Sequence, residues 1–232
     1  MESNTEETLC AEIGRFVIEF EGLLQRTRDT IRNYFTEEKL DDTIPVEILM
    51  HDSTSAPLAK YFEAISLHYL GMRHSDKDSE HVKKIKKYVN SIGTNLIKAG
   101  ELRNDVVHAS WYLSSAYGMN AELEANRIKM TADGIVMRKL FIQPKKLDNS
   151  ISMINKLSYF IQSVGYIIAD KTFPIDTFII PEESITAFNN IDFEKERRQL
   201  FVDDPHHYEN LMKNKRELDE IFKAGKNDGE KS

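Results

Sequence analysis

Three side chains of different chemical type stand within one short run, Glu101-Leu102-Arg103-Asn104-Asp105-Val106-Val107-His108. A histidine can take the proton from a ribose 2′-hydroxyl or return one to a leaving 5′-oxygen. An arginine can hold the phosphate and stabilise the added charge of the transition state through its planar fork. An asparagine can orient either partner. Arg103, Asn104 and His108 therefore suit RNA cleavage without a metal. On a continuous helix Asn104 and His108 share a face one turn apart, and Arg103 swings its long side chain toward the imidazole. Val106 and Val107 anchor the neighbouring sides in the core. A single histidine serves one proton-transfer role at a time, so a two-fold dimer would supply both acid and base.

Arginine followed five residues later by histidine is a weak signal. Asparagine after the arginine lowers chance occurrence to roughly one chain in a hundred. The plainer alternative makes Arg103 a surface ion-pair partner of Glu101 or Asp105, and His108 a satisfied, half-buried histidine.

Lys83, Lys84, Lys86 and Lys87, with Lys98, precede the run and could guide an RNA backbone toward it, with steep salt dependence. A solvated helix face explains the same lysines equally well. Trp111 and Tyr112 could stack a base, but Trp111, one helical turn past His108, is better read as packing that fixes the histidine rotamer. His206-His207 lacks ligand spacing, and Asp204-Pro205 reads as a helix start. Cys10 is the only cysteine, which leaves no disulfide framework or cysteine zinc site. No Gly-rich phosphate loop is present. No metal or cofactor is expected.

The elements that must position these groups are helical. Apolar residues at Ile13, Phe16, Val17, Phe20, Leu23, Leu24, Ile31, Tyr34 and Phe35 predict a long helix over 6–35. A short helix is expected over 45–50 and another over 57–70. Ser79 is placed to cap a helix carrying Val82, Ile85, Val89, Ile92 and Leu96. Gly100 marks a kink or end, after which helix is expected to resume over 101–117. Residues 127–131 and 135–139 around Ala132-Asp133-Gly134 read as a hairpin. A clean stripe from Leu147 to Ile168 follows. Beyond it come Pro174 and Pro181 in an extended connector, then polar helices near 184–200 and 205–224.

The reading is an all-α, up-and-down bundle over 1–170, with a small hairpin before its last core helix. A C-terminal helical extension follows over 171–225, then a disordered tail over 226–232. The chain has 232 residues, 41% hydrophobic and 30% charged, with a net charge of -7. That supports a folded core and argues against a wholly cationic nucleic-acid coat, though not against a local basic groove. The acidic start and the lack of any membrane-length apolar run predict a cytoplasmic, soluble protein with no membrane partner. Phe193, Leu200, Phe201, Leu211, Leu218, Ile221 and Phe222 give the extension the pattern of a docking arm for the domain, a second subunit or another protein.

Arg103-Asn104-Asp105-Val106-Val107-His108 resembles the Arg-Asn-x-x-x-His signature of the HEPN superfamily of small helical domains. The long first helix, the basic helix leading into the run, Trp111 after it, and the hairpin and final helix resemble that family in order, over 6–170. Ala109 stands where many relatives carry glycine. The resemblance implies a metal-independent endoribonuclease, often a toxin or phage-defence effector, working as a homodimer with the motif at the interface. It makes Arg103 and His108 the catalytic pair, with Asn104 supporting. It also allows an antitoxin or regulatory partner for the extension. The same family contains non-catalytic members, so the rival expectation is a nucleotide- or RNA-binding or scaffolding module.

Overall fold

The computed structural model describes residues 2–37, 48, 50, 51, 53–73, 79–113, 123–131, 134–142, 146–169 and 182–203. The longer helices among the described residues are α1 (Glu2–Glu37), α2 (Ser55–Arg73), α3 (Glu80–Val107), α4 (Lys146–Ala169), α5 (Glu182–Asn189) and α6 (Phe193–Leu200). Four strands are β1 (Ser110–Leu113), β2 (Leu123–Thr131), β3 (Gly134–Ile142) and β4 (Phe201–Asp203). The chain divides into two compact units, residues 1–107 with 144–197, and residues 108–143 with 198–232.

The first unit is all-helical among its described residues. Its elements form because their apolar residues recur every three or four positions and are buried together. Phe16, Leu23, Ile31 and Tyr34 of α1 are fully buried, as are Ile154, Leu157, Ile161, Val164 and Ile168 of α4. Ser79 caps α3: its hydroxyl accepts the Val82 N–H at 3.3 Å, satisfying one of the unpaired donors of the first turn.

Gly100 neither kinks nor ends α3, which runs through it to Val107. Its lack of a side chain serves a close approach instead. A Cβ at Gly100 would stand 1.8 Å from Ser55 Oγ, so only glycine lets the start of α2 seat against this helix.

Helix directions depart from an up-and-down succession. The Ser55–Gly100 and Glu63–Gly93 approaches make α2 and α3 antiparallel. Phe20 lies near the Ser55–Gly100 contact, and Tyr34 bonds Ser66 at 3.1 Å, so α1 and α2 run the same way. Arg15 with Asp148 and Thr30 with Gly165 likewise set α1 parallel to α4. Alternation requires short loops. Residues 38–54, between α1 and α2, are numerous enough to return the chain along a helix length.

The region expected as an extension begins with α5 and α6. Phe188 of α5 stacks on Phe160 of α4 at 4.0 Å between ring centroids, with Tyr88 of α3 edge-on to both. In α6, the buried carboxylate of Glu196 accepts from Asn149 Nδ2 at 2.7 Å and Ser150 Oγ at 3.3 Å. The next residue, Arg197, donates from Nε to Asp105 Oδ2 and from Nη1 to Glu101 Oε2 at 2.9 Å. Adjacent residues of α6 thus fasten the last turns of α3 and the first turn of α4. A cut near residue 170 does not separate these helices from the rest.

The second unit holds one antiparallel sheet in the order β1-β2-β3-β4. In β2 and β3, Thr131 is opposite Gly134 and Leu123 is opposite Ile142. β1 pairs Ser110 with Asn126 and Leu113 with Leu123, and β4 pairs Phe201 with Leu140. Two expectations change here. The helix expected over 101–117 ends at Val107, because Ser110-Trp111-Tyr112-Leu113 pairs as a strand, and pairing outweighs weak helical preference. The helix expected over 184–200 is broken at Asn190–Asp192, where the Asp192 side chain accepts the Lys195 N–H and starts α6. The short helix over 45–50 is helical at its described residues, Ile48 and Met50. The Pro174–Pro181 connector, the 205–224 helix and the tail lie outside the described residues.

Candidate functional site

Arg103 and Asn104 occupy the last two turns of α3, with Val106 fully buried and Val107 half-buried beneath them. Arg103 donates from Nη1 to Asn104 Oδ1 at 3.3 Å and from Nη2 to Glu21 Oε1 of α1 at 3.4 Å. Its side chain is 26% exposed, and its buried Nε has no partner among the described residues. The ion pair expected with Glu101 or Asp105 is not formed. Those two carboxylates are bonded by Arg197, ninety-two residues beyond Asp105.

His108 is exposed and stands in a turn one residue past the helix end. The half-buried setting of the plainer alternative therefore does not hold for His108. Trp111 lies on β1 opposite Ala125, so it is not one helical turn from His108. Lys83, Lys84 and Lys87 are exposed on α3, with Lys83 paired to Glu80 at 3.2 Å. At 1.5 Å per residue, Lys87 lies about 24 Å along the helix from Arg103, whereas half-buried Lys98 lies about 8 Å away. Lys98 is thus within two turns of the pair along the axis but does not line its cleft, and the other lysines lie several turns behind it.

Arg103 and Asn104 line a cleft of about 230 Å³ within the helical unit, with Glu21 and Arg28 of α1, His51, and Ser55 at the start of α2. Arg28 is fixed by main-chain oxygens: its Nε donates to Met50 O at 3.0 Å and its Nη2 to Ser53 O at 3.1 Å. Among the described lining residues, two guanidiniums and an imidazole therefore face one half-exposed carboxylate. Such a set holds an anion, and the imidazole adds a group that can donate or accept a proton.

Sequence reasoning did not single out Arg28 and His51. No spacing links them to Arg103, but α1 carried one signal. Its apolar stripe skips from Leu24 to Ile31, and in that gap Thr27 turns inward while Arg28 is half-buried.

A larger groove, about 610 Å³, runs beside Asn155, Lys156 and Tyr159 of α4. One of its two cations, Arg15, is already matched by Asp148 at 2.5 Å, and no described histidine lines it. Among the described residues, no group of three or more His, Cys, Asp or Glu is placed to hold a metal ion. No described helix is long and apolar enough to cross a membrane. Compared with protein-family models, curated proteins and solved structures, the chain gives no match.

Proposed function

We propose that this protein is a metal-independent endoribonuclease of the HEPN type, in which Arg103 and Asn104 hold the scissile phosphate and His108 moves the proton. The 2′-hydroxyl loses its proton and attacks phosphorus, the P–O5′ bond breaks, and the 5′-oxygen leaves protonated. The products are a 2′,3′-cyclic phosphate and a 5′-hydroxyl. In a homodimer the two copies of His108 serve as base and acid. The observation that carries this reading is the cleft itself: Arg103 and Asn104 share it with a second guanidinium and an imidazole. The exposure of His108, immediately past α3, leaves its ring open to a substrate. A role as a toxin or defence effector, with an antitoxin-like partner on the C-terminal segment, extends the same reading.

Glu21 favours a second reading. Its carboxylate already occupies Arg103, as expected of a binding or scaffolding module whose arginine is structural. The pair is long and half-exposed, however, and exposed pairs of this kind are worth about 1 kcal/mol or less, so an RNA phosphate displaces it cheaply.

The test is cleavage of a mixed RNA pool in excess chelator by the wild type, Arg103→Ala and His108→Ala. Cutting by the wild type alone, with cyclic-phosphate ends, supports the nuclease. Cutting that requires an added divalent metal refutes this mechanism, and a folded wild type that leaves all RNA intact favours the binding module.

A further inference from the structure

We propose that the cleft between α1, the start of α2 and the end of α3 is a phosphate-binding site in which Arg28 and His51 act beside Arg103. The inference rests on the nuclease reading for what the phosphate belongs to, an RNA chain. The site itself stands on the geometry of the helical unit alone.

Arg28 is its firmest component. Bonds to Met50 O and Ser53 O pin the guanidinium in place with N–H donors to spare. Carbonyl oxygens carry no net charge, so these bonds fix the position of the cation without cancelling it. Arg28 also sits at a polar break in an otherwise apolar stripe, where a buried aliphatic side chain would pack better than a cation. Arg103 reaches the same cleft from α3, with its buried Nε without a partner among the described residues. His51 lines it from the segment that Arg28 tethers.

The start of α2 adds to this field. Ser55 opens a helix of 19 residues with no acidic residue in its first turn, so no carboxylate there competes for the N–H groups at its positive end. The seat of Ser55 over Gly100 holds that end three residues from Arg103. Among the described lining residues, two arginines stand against one carboxylate, Glu21, beside His51 and a helix N-terminus. The described lining thus carries more arginine than carboxylate in a chain of net charge -7. Its volume is below the roughly 300–1,000 Å³ of sites that enclose a drug-sized ligand, and suits a phosphate with part of its sugar.

The experiment is calorimetric titration of the full chain with two probes. Adenosine 5′-monophosphate presents a phosphomonoester. A thymidine dinucleotide presents a diester that lacks the 2′-hydroxyl and so cannot be cut by the proposed chemistry. Wild type is compared with Arg28→Gln and His51→Gln. Arg28→Gln is expected to weaken binding about tenfold, the effect of losing a charge-assisted hydrogen bond. His51→Gln is expected to weaken it by a smaller factor. Since Arg28 also tethers Met50 and Ser53, thermal unfolding of both variants is measured alongside, and a loss of binding counts only where the variant stays folded at the titration temperature. Preference for the monoester assigns the site to a terminal phosphate, and equal binding of both probes assigns it to the RNA backbone; either supports the proposal. Wild type that binds neither probe, or binding unchanged by both substitutions, overturns it. If RNA is still cut in that case, the nuclease reading survives alone. Phosphate bound here by a protein that cuts no RNA separates the two in the opposite sense.

Discussion

Replacing Arg197 with methionine tests whether the end of the motif helix is held from ninety-two residues away. Asp105 is 3% exposed and Arg197 13% exposed, and the guanidinium Nε donates directly to the carboxylate. Removing one partner of a buried ion pair costs about 3–5 kcal/mol, because the remaining charge keeps its desolvation cost without its counter-charge. Partial exposure of Arg197 puts this pair at the lower end. The bond to Glu101, which is half-exposed, adds at most about 1 kcal/mol. Arg197→Met should therefore destabilise by about 3 kcal/mol, lowering Tm by about 6–12 °C in a domain of this size. The assay is urea unfolding of wild type, Arg197→Met, Asp105→Asn and the double variant. Asp105→Asn removes the charge that faced Arg197, so the double variant should be more stable than the two single effects summed, by about 2 kcal/mol. A loss below about 1 kcal/mol for Arg197→Met, or strict additivity in the cycle, would refute the clamp.

Two further outcomes follow from the helical unit. Burial raises the Glu63 carboxyl above its ordinary value of 4.5, so the folded state holds its proton more tightly than the unfolded chain and loses stability as pH rises through that interval. Glu63→Gln should thus raise Tm at pH 7 and give no advantage below about pH 4.5; a gain that persists in acid would contradict this. Phe188→Ala removes the ring stacked on Phe160 and should cost about 3–5 kcal/mol, with hydrogen exchange accelerated first in α5. Exchange that rises first in α1 would place the weak point elsewhere.

Periodicity was enough to locate the long helices. The stripes from Ile13 to Phe35 and from Leu147 to Ile168 each bury a continuous face, and Ser79 marks its helix start by a local hydrogen bond. Such features depend on residues within a turn or two of one another, so a linear reading captures them. The end of α3 was not legible in the same way. Nothing between Leu102 and Tyr112 is glycine or proline, and the helix yields only because Ser110–Leu113 finds a pairing partner at Leu123–Asn126. Gly100, read as punctuation, is a seat for Ser55, a role defined by a helix 45 residues earlier.

The sequence by itself determined the long helical elements and the chemistry available at Arg103, Asn104 and His108, because side-chain type and helical repeat are local properties. Tertiary structure alone decided which charges meet. It gave Asp105 and Glu101 to Arg197 instead of Arg103, and set Glu21, Arg28 and His51 around the Arg103 cleft. Ion pairs and clefts depend on distances through space, and those distances exist only once α1, α2, α3 and α6 have packed.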